Sequence, residues 1–97
     1  MRYDIIFTPE ALGDLKTLRA IDRAKVQDAI ELHLRHEPTK LSKSRIKRLR
    51  QLKHPQFRLQ VDDLRVFYDV IEQQVELLAI LTKTDSGEWL SRKGIAE

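Results

Sequence analysis

The feature that most constrains this fold is a stretch near the end of the chain that reads as three strands in succession. Phe57, Leu59 and Val61 alternate with polar residues, and two apolar segments, LRVFYDVI and VELLAILT, follow after short polar breaks. Alternation with a period of two indicates a β-strand, and short polar breaks indicate tight turns. Strands joined in this way pair antiparallel as a β-meander. The predicted elements are strand 57–61, turn 62–63, strand 64–71, turn 72–74 and strand 75–82.

These turns predict which residues face one another across the strands. Arg58 is expected opposite Phe67, and Phe67 opposite Ala79. Gln60 is expected opposite Arg65. One face of the sheet is then apolar and can be covered by helices, whereas the other is expected to be open and solvated. The open face collects Arg58, Gln60, Arg65, Phe67 and Asp69, and the same alternation places Lys83 there.

A short strand and a helix are predicted at the start of the chain. Tyr3, Ile5 and Phe7 recur at every second position, which indicates the strand. Thr8 offers an N-cap hydroxyl, and Pro9 suits the first helical position, where its missing N–H costs nothing. A helix is therefore expected to begin at this point.

Two further helices are predicted, one before and one after the meander. Asp22 is a suitable N-cap for the earlier helix, and Pro38 ends it. Asp85 and Glu88 have the spacing of a capping box at the start of the last helix, which carries Trp89. The stripe that the earlier helix is expected to bury consists of Val26, Ala29, Ile30, His33 and Leu34.

The length of the chain and the order of its elements define the fold class. Ninety-seven residues fit one domain, so residues 1–97 are expected to form a single unit. The predicted order is β-α-α-β-β-β-α. This is an α+β fold in which two N-terminal helices pack on one face of an antiparallel sheet.

Composition excludes several classes of protein. The chain has no cysteine, so it has neither disulfides nor a thiolate metal site. His33 and His36 have a ligand-like spacing, but without a clear third ligand they do not predict a metal site. No cofactor is expected. The apolar runs are short and nothing resembles a signal peptide, so we expect no membrane partner and a cytoplasmic location.

Positive charge is concentrated in the middle of the chain. Residues 38–61 carry eight Lys and Arg residues and no acidic residue. Such a concentrated positive field predicts a polyanionic partner, although a solvated basic loop would give the same pattern. The residues expected to bind nucleic acid are Lys43, Arg45, Lys47, Arg48, Arg50, Lys53 and His54.

The open face of the predicted sheet suits a phosphodiester. Arg58, Arg65 and Lys83 converge there, and guanidinium groups match phosphate oxygens and stabilise the charge of a pentacoordinate transition state. The alternative is that the arginines only cover a solvated face and pair with Asp69. On either interpretation Arg65 is expected to contribute little to folding. Trp89 is expected to anchor the last helix, with base stacking as the alternative.

Several segments resemble the RelE/ParE family of toxins. They are the opening YDIIFTPEALGDL, the meander FRLQVDDLRVFYDVIEQQVELLAI and the closing KTDSGEWL. The fold that this resemblance implies is the one predicted above. It also implies a bacterial or archaeal toxin whose partner is an antitoxin that blocks its active face.

The resemblance predicts a ribosome-dependent mRNA endoribonuclease that inhibits translation. RelE-type members cut mRNA on the ribosome without a metal, and Arg58 and Arg65 match their basic sheet residues. Gln60 and Asp85 stand where a lysine and an arginine are expected, and Trp89 is the nearest aromatic to a missing C-terminal tyrosine. Because arginine is a poor general base, proton transfer would need His54, Asp69 or Asp85. The alternative is a ParE-like inhibitor of DNA gyrase that has no nuclease activity.

Overall fold

The computed structural model describes residues 1–96 of the chain. In this part of the chain, a first strand is followed by two helices, five further strands, a third helix and a last short strand. The elements in chain order are β1 (Asp4–Phe7), α1 (Pro9–Thr17), α2 (Ala20–Leu34), β2 (Ile46–Arg48), β3 (Leu52–His54), β4 (Phe57–Val61), β5 (Leu64–Ile71), β6 (Gln74–Thr82), α3 (Lys83–Lys93) and β7 (Ile95–Ala96).

The main sheet has five strands in the order β1-β6-β5-β4-β2. The predicted meander β4-β5-β6 forms its centre, and β2 joins β4 antiparallel. Strand β1 pairs with β6 in parallel, with Asp4 beside Gln74 and Phe7 beside Leu77. The α+β fold class is confirmed. The sheet is mixed rather than wholly antiparallel, because β1 lies beside β6 at the edge of the meander and runs parallel to it.

The predicted register of the meander is confirmed. Arg58 lies opposite Phe67, Gln60 opposite Arg65, and Phe67 opposite Ala79. The second turn differs from the prediction, because Ile71 pairs with Gln74 and the turn has two residues. An extra residue on β6, between the partners of Phe67 and Tyr68, forms a β-bulge that restores the predicted pairing beyond it.

Helix α1 begins as its sequence predicts. The Thr8 side chain accepts a hydrogen bond from Ala11 N, and Pro9 is the first helical residue. Helix α2, however, begins at Ala20, so Asp22 lies in its first turn, 3.3 Å from Arg19, and is not the N-cap. The guanidinium of Arg23 donates hydrogen bonds to carbonyl oxygens at the end of α1, including those of Leu15 and Leu18. These bonds stabilise the short connection between the helices.

The other helix boundaries also differ from the prediction. Helix α2 ends at Leu34, before Pro38. Helix α3 begins at Lys83, and its cap is Thr82, whose hydroxyl accepts from Asp85 N at 3.2 Å. Thr82 is the last residue of β6, so the strand passes directly into the helix. Within residues 1–96, no helix is both long and apolar enough to span a bilayer.

The two faces of the main sheet are covered by different helices. Helices α1 and α2 pack on one face, and most of the predicted stripe of α2 contributes to the core there, with Val26, Ile30 and Leu34 fully buried. Tyr68 is also fully buried, and its hydroxyl donates to Pro38 O at 2.6 Å. Helix α3 packs on the opposite face. The face predicted to be open is therefore covered at its centre.

The basic segment, residues 38–61, contains the short strands β2 and β3 and is therefore not simply a solvated loop. Strand β2 pairs with β4, and β3 pairs with β7, which follows α3. The guanidinium group of Arg48 donates hydrogen bonds to the carbonyl oxygens of both Leu49 and Gln56. The middle of the chain is thus tied both to the main sheet and to the residues after α3.

Candidate functional site

An aromatic pair closes the centre of the sheet face on which the arginines lie. The rings of Phe67 and Trp89 stack with centroids 5.1 Å apart and an angle of 20° between their planes. Phe67 is fully buried and Trp89 is 8% exposed, and together with Ala79 they form a second apolar cluster. The expectation that Trp89 anchors the last helix agrees with this packing.

Arg65 lies on this face as the register predicted, but it is not solvated. Only 5% of its surface is exposed. Its Nη1 donates to Asp62 O at 2.9 Å and to Leu64 O at 3.0 Å, so the side chain holds the turn between β4 and β5. Its Nε is buried and has no hydrogen-bond partner among residues 1–96. The expectation of a solvated Arg65 without a partner is wrong, because the side chain is buried and bonded to the turn.

Arg58 and Lys83 lie near Arg65. Arg58 is half-buried on β4 opposite Phe67, two pairs along from the Gln60–Arg65 pair, and its buried Nε also has no hydrogen-bond partner in the described part of the chain. Lys83 is exposed at the start of α3, and its main-chain N–H donates to Asp63 O at 2.8 Å in the same turn. The structure therefore places Arg65 and Lys83 at the turn between β4 and β5, and Arg58 further along β4 on the same face as Arg65. We call Arg58, Arg65 and Lys83 the arginine cluster.

Five cations of the basic segment are exposed to solvent along and beyond the β2 edge of the sheet. Lys47 lies directly opposite Arg58, so the positive charge is continuous with the arginine cluster. Arg45 follows a turn in which the Ser42 hydroxyl accepts from two main-chain N–H groups. We call these residues the basic arc: Lys43, Arg45, Lys47, Arg50 and Lys53.

Arg48 was also predicted to bind nucleic acid, but its guanidinium is engaged inside the protein. Its Nη1 donates to Leu49 O and to Gln56 O, each at 2.8 Å, and the group lies 5.5 Å from the ring centroid of Phe57. A guanidinium held in this way positions the chain between β2 and β4. We therefore assign Arg48 a structural role.

His54 is held by a carboxylate rather than solvated. Its Nδ1 lies 2.8 Å from Asp69 Oδ2, although the approach is not that of a well-aligned hydrogen bond. The other oxygen of Asp69 accepts from Gln56 N at 2.8 Å. Asp69 was expected to be a partner of the arginines, but among residues 1–96 the basic side chain that its carboxylate contacts is His54. A carboxylate in this position fixes the orientation of the imidazole. Sequence reasoning missed the pair because the two residues lie on different strands.

The aromatic stack separates the His54–Asp69 pair from Arg65. Arg65, Phe67 and Asp69 alternate along β5, so their side chains lie on the same face in that order. Trp89 covers the middle position. The His54–Asp69 pair and Arg65 therefore lie on opposite sides of the Phe67–Trp89 stack, whereas Arg58 lies on β4 beside Phe67.

A cleft of about 620 Å³ opens beside the His54–Asp69 pair, on the side away from the arginine cluster. Its walls come from the start of α1, the end of α3 and strands β5 and β6. The lining residues are Thr8, Pro9, Glu10, His54, Pro55, Asp69, Ile71, Glu76, Leu78, Trp89, Lys93 and Ile95.

Solved structures of toxins share this fold. The toxin-antitoxin complex RelBE2 from Mycobacterium tuberculosis matches with a TM-score of 0.70 and 24% identity, over 84% of this chain and 99% of that chain. The archaeal RelE-RelB complex from Pyrococcus horikoshii also matches with a TM-score of 0.70, at 19% identity, over 86% and 97% of the two chains. The YoeB dimer from Staphylococcus aureus matches with a TM-score of 0.63 and 15% identity, over 84% and 97%.

The sequence itself identifies the family. No curated protein matches the chain significantly. Residues 5–86 match the family described as the ParE toxin of the type II toxin-antitoxin system, parDE. The matched region runs from β1 into α3 and includes both the arginine cluster and the His54–Asp69 pair. The chain therefore belongs to the ParE toxin family, within the RelE/ParE superfamily.

Proposed function

We propose that this protein is the toxin of a type II toxin-antitoxin module and that it inhibits its target by binding, without cutting RNA. The observation that carries the proposal is the position of the Phe67–Trp89 stack between the His54–Asp69 pair and Arg65, the residue that the resemblance implies as a phosphate-binding arginine. An RNA-cleaving site needs a proton acceptor beside the groups that hold the phosphate, and arginine cannot fill that role. On this face the titratable pair is His54–Asp69, and it lies across the stack from Arg65. DNA gyrase is the target that the family resemblance implies.

The basic arc is the surface that we assign to the target. Its five cations are exposed, and none of them forms an ion pair with another residue in 1–96. Free cations along one edge attract a polyanion, such as DNA held by an enzyme, and the attraction weakens as salt increases. A cognate antitoxin is the second partner we propose, because two of the similar structures are complexes of a toxin with its antitoxin.

Two assays test this function directly. The purified protein is added to gyrase acting on plasmid DNA and, separately, to ribosomes translating a defined mRNA. We expect supercoiling to be inhibited while the mRNA stays intact. Cleavage of the mRNA without an effect on gyrase would overturn the proposal.

A charge-reversal pair tests the role of the basic arc. Lys47→Glu places a negative charge within the arc, whereas the control Lys16→Glu places it on exposed α1. We expect growth inhibition to be lost only with Lys47→Glu, and both proteins to melt at similar temperatures. Equal toxicity of the two variants would remove the arc from the target interface.

A ribosome-dependent mRNA endoribonuclease is the second candidate function, and one observation favours it. The buried Nε groups of Arg58 and Arg65 have no hydrogen-bond partner within residues 1–96. A buried donor without a partner is costly, so the two groups are suited to receive an anion such as a phosphate. In this function the arginine cluster binds the scissile phosphate of an mRNA on the ribosome, with Arg58 and Arg65 as the catalytic residues and Lys83 at the rim.

The nuclease is tested at Arg58, because this residue does not hold the turn between β4 and β5. If the chain cuts mRNA, Arg58→Ala should lower the rate by about 10²–10³, as the loss of one transition-state donor does elsewhere. The exposed residue Arg50 supplies the control, Arg50→Ala. Equal cleavage by the wild type and Arg58→Ala would exclude the arginine cluster as the site.

A further inference from the structure

The cleft beside His54 combines apolar walls with an acidic rim. Pro9, Ile71, Leu78 and Ile95 face it from four different elements. Ile71 and Ile95 are 46% and 54% exposed, so apolar surface remains open to solvent there. A concave apolar surface with a few charged groups is typical of binding sites.

The rim carries more negative than positive charge. Glu10 lies 3.7 Å from Lys93, and Asp69 lies 2.8 Å from His54. Glu76, in contrast, makes no ion pair in the part of the chain that the structure describes. The cleft therefore has the opposite charge to the basic arc.

Glu76 also lies directly opposite Asp69 across β5 and β6. Like charges in directly opposite positions destabilise a sheet, and a cation between them removes the repulsion. His54 supplies a partner for Asp69, but Glu76 has no such partner among residues 1–96. A cation brought by a ligand would complete the arrangement.

We propose that the cleft binds a peptide segment of a partner protein that carries an aliphatic side chain close to a Lys or Arg residue. The aliphatic side chain packs against Leu78 and Trp89, and the cation is placed beside Glu76. The inference goes beyond the proposed function, because this site lies apart from both the basic arc and the arginine cluster. The basic segment of a partner would enter the cleft, whereas polyanions would bind the arc.

Trp89 provides the signal for the test, because it is the single tryptophan of the chain and lines the cleft. The probe is a capped twelve-residue peptide of Ala and Gln with one Leu and, three positions later, one Arg. Two matched peptides replace Arg with Glu or Leu with Ala. We expect the Leu–Arg peptide to change the Trp89 emission and to bind about tenfold more tightly than the Leu–Glu peptide, because an attraction becomes a repulsion at a partly exposed pair.

Variants of two glutamates locate the binding. Glu76→Lys should abolish the preference for Arg, and Glu72→Lys, in the exposed turn between β5 and β6, should retain it. Thermal melting of both variants checks that each is folded. Growth inhibition by Glu76→Lys should equal that of the wild type. Peptide binding therefore tests the cleft, and growth inhibition separately tests the proposed function.

Other outcomes would overturn the inference. Equal binding of the Arg and Glu peptides, or an unchanged preference in Glu76→Lys, would exclude the acidic rim as the recognition element. Absence of binding at millimolar peptide would exclude the cleft. An emission change that depends on protein concentration alone, together with a dimer in sedimentation, would assign the cleft to a second copy of the chain.

Discussion

Trp89 lies flat on Phe67, and this contact joins α3 to the central strand of the sheet. Replacing Trp89 with Ala should cost about 3–5 kcal/mol of unfolding free energy, as for other large buried aromatic side chains. Trp89→Phe should recover part of the loss, because a smaller ring can still stack. Denaturant titration followed by circular dichroism measures both values. Wild-type stability in Trp89→Ala would mean that α3 is held mainly by other contacts.

Arg65 should contribute to stability through the turn that it holds. Arg65→Ala leaves the carbonyls of Asp62 and Leu64 without this donor, and we expect a cost of about 1–3 kcal/mol. Lys83→Ala, at an exposed position, should stay within about 0.5 kcal/mol of the wild type. Melting temperatures of the two variants check the contrast. A loss of toxicity in Arg65→Ala is therefore assigned to the site only if the melting temperature is unchanged.

Burial raises the pKa of Tyr68 well above its ordinary value. Because the folded state holds this proton more tightly, the stability contribution is complete below the unfolded pKa of about 10 and is lost as pH rises towards the folded value. Unfolding free energy should therefore fall steeply above about pH 10. In Tyr68→Phe the slope should be smaller, although stability at pH 7 is lower by about 1–3 kcal/mol because Pro38 O loses its donor. Equal slopes in the two proteins would contradict this assignment.

Asp14 links α1 to β6, since its Oδ2 accepts from Ile80 N at 2.9 Å. Burial raises the pKa of the Asp14 carboxyl above its ordinary value. Its contribution is therefore present at low pH and is lost as pH rises through the folded pKa. Asp14→Asn keeps an acceptor without the charge, so at pH 7 it should equal or exceed the wild type in stability, and the difference should vanish in acid. Asp14→Ala should be less stable at every pH, and a stable Asp14→Ala would show that the hydrogen bond contributes nothing.

Gly87, within α3, and Gly94, directly after it, should respond oppositely to alanine. A Cβ at Gly94 would lie 2.6 Å from Leu90 O and 3.3 Å from a methyl carbon of Leu52, so Gly94→Ala should loosen the contact between α3 and β3 and lower the melting temperature. A Cβ at Gly87 meets nothing within 4 Å, and Gly87→Ala should add about 0.5–1 kcal/mol through helix propensity. Calorimetry of the two variants compares them. A stabilising Gly94→Ala would show that the close approach is relieved at no cost.

The parts of the fold that sequence predicted correctly are those with strong local signals. Alternation and the turn at residues 62–63 fixed the pairing of Arg58 with Phe67, because a slip of one residue would have exposed the apolar side chains. The cap at Thr8 was correct for a similar reason, since the Thr-Pro pair strongly favours a helix start. These features depend on neighbours in the chain.

The features that were missed depend on contacts between distant segments. Strands β2, β3 and β7 have two or three residues each, too few for a periodic pattern, and they form because partners elsewhere supply their hydrogen bonds. Arg65 was placed on the correct face, but nothing local shows that its side chain is buried. His54 and Asp69 are fifteen positions apart and meet only because β3 folds back beside β5. The bulge at Leu78 was also missed. It accompanies a turn of two residues, 72–73, where three were predicted.

The parallel pairing of β1 with β6 has a consequence for synthesis of the protein. Asp4 pairs with Gln74, so the first strand emerges long before its partner has been translated. At roughly 5–20 residues per second, the intervening segment takes on the order of ten seconds to make. During this delay an unpaired, largely apolar strand edge is open to chaperones and to other nascent chains. An antitoxin that recognises the finished sheet can bind only after this delay, so newly made toxin passes through an interval in which neither its folding nor its neutralisation is complete.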